Sequence, residues 1–416
     1  MSLGAKLGTI PVARPFFGTE EEQALIAALR SGWVSQGPRV AEFEQRFAEY
    51  AGAGHAVAVS SCTTALHLAM ITARVGEGDE VLCPSLSFIA TANCIRYVGA
   101  RPIFVDIDPV TYNLDPNRVE DAITPRTRAI LAVHQAGMPA CMTELAEISE
   151  RRGLVLLEDA ACAIGSEYLG QKIGRPHSLM ACFSFHPRKI LSTGEGGMIT
   201  INDGTLAARM RRLRQHGMST SDLARHSASR VMVESYDEVG YNYRMTDLQA
   251  AIGLEQLRRL DSMLERRRYL AGRYTIGLKE IGWLLPPQEP AGHRHNFQSY
   301  MTRLTPDSPV NRDELMQILL DAGISSRRGI MASHQEIPYT EAQWYRRLPE
   351  TERAARETLI LPLFHQMTEA EQDYVLERIR TLRSEHRSQL PGLPGLIPRA
   401  DSSKHHVQHD RIEPTR

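Results

Sequence analysis

The sequence predicts an α/β protein with a large domain on a largely parallel sheet and a smaller α/β domain after it. Three observations carry this. The chain has 416 residues and is 42% apolar, enough for a covered core and too long for one ordinary domain. From Ala56 onward, short β-rich runs alternate with helical stretches, and the runs are apolar on both faces, as in strands covered by helices on either side. A long Arg-rich helical segment, LQAAIGLEQLRRLDSMLERRRYLAGRYTIGLKEI, then leads to a second set of elements.

In chain order, residues 1–18 form an N-terminal segment with no continuous apolar stretch of signal-peptide type. Thr19 to Ser31 reads as a helix opened by Thr19, with Glu20 to Glu22 in its first turn and Gly32 after its end. Val40, Phe43, Phe47 and Tyr50 repeat at helical spacing in the next helix. The runs AVAVS, EVLCPS, PIFVDI, AILAVH, LVLLEDA and ACFSFH read as strands. The Arg-rich segment is one long helix or a broken pair. SYMTRLT and RDELMQILLDAG open the smaller unit. The expected boundaries are 19–260 for the large domain and 261–390 for the small one. A tail over 391–416, without periodicity and rich in Pro, Gly and His, is expected to be disordered.

Lys plus Arg is 48 and Asp plus Glu is 49, so no long-range field attracts nucleic acid or an anionic membrane, and no stretch has membrane-spanning length. The expected partner is a small molecule. Six cysteines (Cys62, Cys83, Cys94, Cys141, Cys162, Cys182) show neither CxxC pairs nor a compact framework. Reduced thiols in a cytoplasmic protein are expected, with no metal.

Four windows can carry chemistry. In ACFSFHPRKILSTGEGG a strand-like run precedes Lys189 and a glycine-rich turn. A lysine in a cleft, its ammonium lowered by desolvation or by cations such as Arg188 and His186, forms an imine with an aldehyde. A solvated surface lysine is the ordinary alternative, but Gly194, Gly196 and Gly197 allow close backbone approach, and the Ser184 hydroxyl suits a phosphate. In GLVLLEDAACAIGS a strand ends in Glu158 and Asp159, where carboxylates face the ligand crevice of an open sheet. Asp159 suits a pyridinium nitrogen, and it equally suits a helix N-cap. In AVAVSSCTTALHLAM a strand meets a helix whose first amides, with Ser61 and Thr63, suit a phosphate or serve as an ordinary cap. In EVLCPSLSFIATANCI, Phe88 either stacks on a flat heterocycle or belongs to the core.

Together these windows resemble the sugar aminotransferases of the DegT/DnrJ/EryC1/StrS family, which are fold-type-I pyridoxal-phosphate enzymes. GWVSQGPRVAEFEQRFAEYAG, VSSCTTALHLAM, PSLSFIATANCI, PIFVDIDPVTYNLDP, EDAACAIGS, FSFHPRKILSTGEGG, RQHGM and GYNYRMTDLQAAIGLEQL follow its pattern in order, from about Pro11 to Leu382. The resemblance implies a mostly parallel seven-stranded sheet and a homodimer with shared active sites. It implies Lys189 as the lysine that carries pyridoxal 5′-phosphate as an imine, Asp159 at the pyridine nitrogen and Phe88 on the ring. It further implies phosphate contacts from Cys62, Thr63, Ser184 and, across from a second subunit, Asn242. Cys62 stands where Gly or Ala is common, which would narrow the phosphate loop. Cys162 stands where the family commonly has Gln or His at the phenolic oxygen, and a thiol is the weaker partner. His134, in VHQAGMPA, is either a positioning residue or a satisfied strand-end histidine. Arg327, Arg328 and His334, with Tyr339 nearby, are substrate-side candidates.

The implied reaction moves an amino group, with glutamate as donor, through pyridoxamine 5′-phosphate to a nucleotide-linked keto-sugar. The alternatives are a cyclitol or other ketone acceptor, or a non-catalytic regulatory protein on the same scaffold. A deoxygenating enzyme of this fold is disfavoured, because such members replace the lysine with histidine.

Overall fold

The computed structural model describes residues 9–385 except 176, 221–224, 227 and 341–346. The expected tail over 391–416 and the first eight residues lie outside the described residues.

Among the described residues, nine strands form before the Arg-rich segment. They are β1 (His55–Val59), β2 (Glu80–Pro84), β3 (Arg101–Val105), β4 (Thr127–Val133), β5 (Val155–Asp159), β6 (Glu167–Tyr168), β7 (Gln171–Lys172), β8 (Met180–Ser184) and β9 (Gly197–Ile201). Seven of them make the central sheet, in the order β1-β9-β8-β5-β4-β2-β3. Only β9 runs against the rest, pairing antiparallel with β8 on one side and β1 on the other. Six of the strands match the β-rich runs. β9 was not among those runs, because its GMITI follows the glycine-rich turn directly.

Alternation along each strand feeds two cores. Ile130 and Leu156 pack with Phe43, Phe47 and Phe183 on one face, while Leu131 and Leu157 pack with Val57, Leu66 and Ile199 on the other. Both faces are therefore dry, as the doubly apolar runs required.

Helix Thr19–Ser31 packs on helix Asp247–Arg258. Its N-cap is Gly18 rather than Thr19, and the Glu21 carboxylate accepts from the Gly18 amide at 2.7 Å. The Arg-rich segment is the broken pair, Asp247–Arg258 and Leu260–Ile281, separated at Arg259. Beyond it lie β10 (Leu284–Leu285), β11 (His293–Arg294), β12 (Tyr300–Leu304), β13 (Arg327–Arg328) and β14 (Thr358–Leu361). A second sheet has the order β10-β12-β14-β13, and β11 joins β6 and β7 in a third. Tyr274, Tyr300, Leu315 and Leu359 form the core of the second sheet, and Ile10 from the N-terminal segment inserts into it. Among the described residues no helix is long and apolar enough to cross a membrane.

Candidate active site

The carboxyl ends of β4 and β5 coincide, since Val133 pairs with Asp159, and β8 runs on past Cys182, the partner of Asp159, to Ser184. Loops leaving that edge carry the candidate residues. Strand alternation sends the two adjacent acids to opposite faces. Glu158 is buried against His134 Nε2 at 2.9 Å and the Ser178 hydroxyl at 2.7 Å. Asp159 turns to the other side, where it accepts from the Thr91 hydroxyl at 2.7 Å and the Ala161 amide at 3.2 Å. Burial holds the Asp159 carboxyl above its ordinary range against those hydrogen bonds and the charge of Lys189. A cationic N–H brought to it would relieve that cost.

Lys189 lies after β8 in a turn closed by its own amide, which donates to the His186 carbonyl at 2.8 Å. Its Nζ donates to Cys162 Sγ at 3.0 Å. Burial pulls the amine down, but Cys162, Cys62 and Asp159 outweigh it and hold the ammonium above the ordinary lysine range. The expected depressed amine is thus corrected, because Cys162, Cys62 and Asp159 together outweigh desolvation. His186 accepts from the Arg188 amide at 3.2 Å, so it braces the turn. Cys162, at the position where a thiol is the weaker partner for the cofactor's oxygen, lies against the lysine, its sulfur accepting from Nζ.

Helix Cys62–Thr72 begins at the same edge. Ser61 is its N-cap: its hydroxyl oxygen accepts from the Thr64 amide at 3.2 Å and its O–H donates to the Thr64 hydroxyl at 3.3 Å, so the side chain is taken up in capping. The first-turn amides of Cys62 and Thr63 have no acceptor within the helix, and the Thr63 hydroxyl is half-buried beside them. The Cys62 thiol is buried against the Cys182 carbonyl at 3.6 Å, so it does not narrow the loop as expected. A Cβ on Gly197 would lie 2.5 Å from the Ser61 carbonyl, and its absence lets β9 abut the helix start. That contact brings Ser184, opposite Gly197 in the sheet, to the helix N-terminus.

Phe88 follows β2 and is 56% exposed, so it is not a core residue. Asn242 is exposed next to the bridge partner Gln215. His134 is fully buried with both ring nitrogens engaged, Nε2 on Glu158 and Nδ1 accepting from the Ala140 amide at 3.0 Å. It is the satisfied strand-end histidine, with no nitrogen left for a ligand.

His334 is also buried, with Nδ1 at 2.7 Å from the Ser85 hydroxyl, and burial lowers its proton affinity. There it fastens the segment around Ala332 to the loop before Phe88, while its Nε2 lies 3.6 Å from the Glu352 carboxylate. Tyr339 is likewise buried, its hydroxyl donating to Asn93 at 2.7 Å. Arg327 and Arg328 are exposed on β13, and Arg328 lies 3.5 Å from Glu336. Sequence reasoning missed Thr91, whose position in the first turn after Phe88 was the available signal. It also missed Asn296 and Gln298, which reach the site loops from more than a hundred residues away.

The model of the DegT/DnrJ/EryC1/StrS aminotransferase family matches residues 16–380. The chain belongs to the DegT/DnrJ/EryC1/StrS family. It is 40% identical over 377 residues to the spore coat polysaccharide biosynthesis protein SpsC of Bacillus subtilis, covering 90% of this chain and 97% of SpsC. The sugar aminotransferase CalS13 of Micromonospora echinospora superposes with TM-score 0.81 at 30% identity, over 89% of this chain and 99% of that one. Spr1654 of Streptococcus pneumoniae, solved in a PLP form, superposes with TM-score 0.84 at 28% identity, over 91% and 99%.

As a DegT/DnrJ/EryC1/StrS protein, the chain is a pyridoxal-phosphate-dependent aminotransferase of the amino-sugar type acting on small molecules. The residues present fit that cofactor: open helix-terminal amides for a phosphate, a desolvated carboxylate for a ring N–H, an exposed aromatic face and a primary amine.

Proposed function

We propose that the protein transfers an amino group from glutamate to a nucleotide-linked keto-sugar, with Lys189 as the cofactor-bearing lysine and proton carrier. The observation that carries this reading is the convergence of Lys189, Asp159 and the Cys62–Thr63 amides at one sheet edge. When bound, pyridoxal 5′-phosphate supplies the electron sink and carries the amino group, as its pyridoxamine form, between the two half-reactions.

The chain's own residues do the rest. Asp159 holds a proton on the ring nitrogen, Phe88 covers one ring face, and Cys62, Thr63 and Ser184 bind phosphate. Asn242 of a second copy completes the phosphate contacts, which makes the working unit a homodimer. Lys189 Nζ, once released as the free amine, would take the proton from the donor carbon and give it back on the other side of the transfer, with Cys162 beside it as a hydrogen-bond acceptor. The exposed Arg327 is a substrate-side cation. We read 19–260 as the cofactor-binding domain and 261–390 as the smaller domain. The six free cysteines suit a cytoplasmic protein.

The test loads the protein with pyridoxamine phosphate and screens keto-sugar nucleotides and cyclitol ketones, following return of visible absorbance. Return with a sugar nucleotide and decay with glutamate are expected. Response only to a cyclitol ketone, or no response to glutamate, contradicts the proposed substrates.

A further inference from the structure

Two carboxamides on one short segment grip both sides of the Lys189–Cys162 contact. Asn296 Nδ2 donates to the carbonyls of Cys162 and Ile164, each at 2.8 Å. Gln298 Nε2 donates to the Arg188 carbonyl at 2.6 Å, and its Oε1 accepts from the Ile190 amide at 3.0 Å. Arg188 and Ile190 flank Lys189, so a single side chain fixes the peptide on each side of the lysine. Asn296 is 0% and Gln298 7% exposed, and water does not compete for these bonds.

The segment is itself held from behind. Asn296 Oδ1 accepts from the Gln298 amide at 2.8 Å. The Arg267 guanidinium, on helix Leu260–Ile281, donates to the Phe297 carbonyl at 3.0 and 2.7 Å and to the Gln298 carbonyl at 2.8 Å. Gly137 sits against Asn296 so closely that a Cβ there would lie 1.9 Å from Oδ1. Two residues on, the chain enters β12 of the second sheet.

A lysine has four rotatable side-chain bonds, and its amine is useful only within a few tenths of an ångström of the reacting atom. Fixing both flanking peptides removes backbone freedom that would otherwise be multiplied along the side chain.

We propose that Gln298, with Asn296, is a positioning residue that sets the approach of Lys189 Nζ to Cys162 and Asp159. Gln298 is tied through Arg267 and β12 to the second sheet, so the clamp is anchored outside the lysine loop itself. Gln298 acts through the lysine loop and has no role as a substrate contact. The proposal rests on the reading of Lys189 as the cofactor-bearing lysine.

The test uses full-length protein reconstituted with pyridoxal 5′-phosphate. Gln298→Met removes both bonds at similar length. Gln298→Glu keeps the acceptor for the Ile190 amide and sets a carboxylate against the Arg188 carbonyl. The readout is the visible absorbance of lysine-bound cofactor against pH, with kcat and KM for the amino donor. Gln298→Met is expected to move the absorbance midpoint by about half a pH unit or more. It should also lower kcat about tenfold, with KM changed less than about twofold, as for an interaction that orients without binding substrate. An unchanged midpoint and kcat, at native cofactor content, overturn the proposal. If Gln298→Met does not fold, the same measurements on Gln298→Glu decide it by the same criteria. Lys189→Ala separates the two ideas: a band that survives it refutes the lysine assignment and the clamp with it. A band lost in Lys189→Ala but unmoved by the Gln298 variants refutes the clamp alone.

Discussion

Glu158 and Asp159 are neighbours in sequence and opposites in the fold, and the difference comes from strand alternation and not from chemistry. Thr91 steadies the Asp159 carboxylate in a dry site, so Thr91→Val should push that carboxyl further up. Loss of one buried bond to a charged group then predicts a fall in kcat of about tenfold, read by steady-state kinetics. Asp159→Asn should cost about a hundredfold or more, as removal of preorganised charge does. His295 gives a pH prediction. Burial and the nearby Arg267 and Arg268 lower it to about 3, while its Nδ1 accepts from the Phe297 amide at 2.9 Å. Its folded value lies below its unfolded value of about 6.5, so the unfolded chain takes the proton first and stability falls as pH drops below that value. At pH 5 the loss is about 2 kcal/mol, and His295→Asn, which keeps an acceptor and cannot titrate, should flatten the acid limb of a urea-denaturation series. Lys189 and Asp159 were legible because residue type and strand end suffice to suggest them. The direction of the lysine shift was not, since it depends on a sulfur supplied by another loop.

Among the elements, helix Pro38–Ala51 shows how distant residues complete local structure. Its own N-cap is Gly37, which offers no side chain, and Asp247 accepts instead from the amides of Gly37, Arg39 and Val40 at 2.8, 3.0 and 3.0 Å. Asp247→Ala should therefore destabilise the fold by about 2–3 kcal/mol, measured by denaturant unfolding, because three backbone donors, two of them buried, lose one acceptor. Apolar periodicity made this helix and six sheet strands readable. It could not reveal the cap, which lies 210 residues from Gly37, nor β9, whose first residue is the glycine that lets the helix at Cys62 approach. Phe88 shows the same limit from the other side: its residue type suited a core, and only the loop after β2 leaves it exposed.

For the whole molecule, the proposed homodimer makes each site a joint product, with Lys189 from one copy and Asn242 from the other. Lys189→Ala and Asn242→Asp, each inactive alone, should on random subunit exchange recover about a quarter of wild-type activity, since half the dimers then hold one intact site of two. No recovery would place both residues in one subunit's site. A mostly parallel sheet of seven strands was implied by family likeness, whereas the order of those strands and the grip of Asn296 and Gln298 on the lysine loop were invisible until the chain had folded. The chain has only five lysines, Lys6, Lys172, Lys189, Lys279 and Lys404. Borohydride reduction of the pyridoxal-phosphate-loaded protein, followed by peptide mass spectrometry, therefore tests the central claim most directly. The label should fall on Lys189 alone; a label on any of the other four, or none, would contradict it.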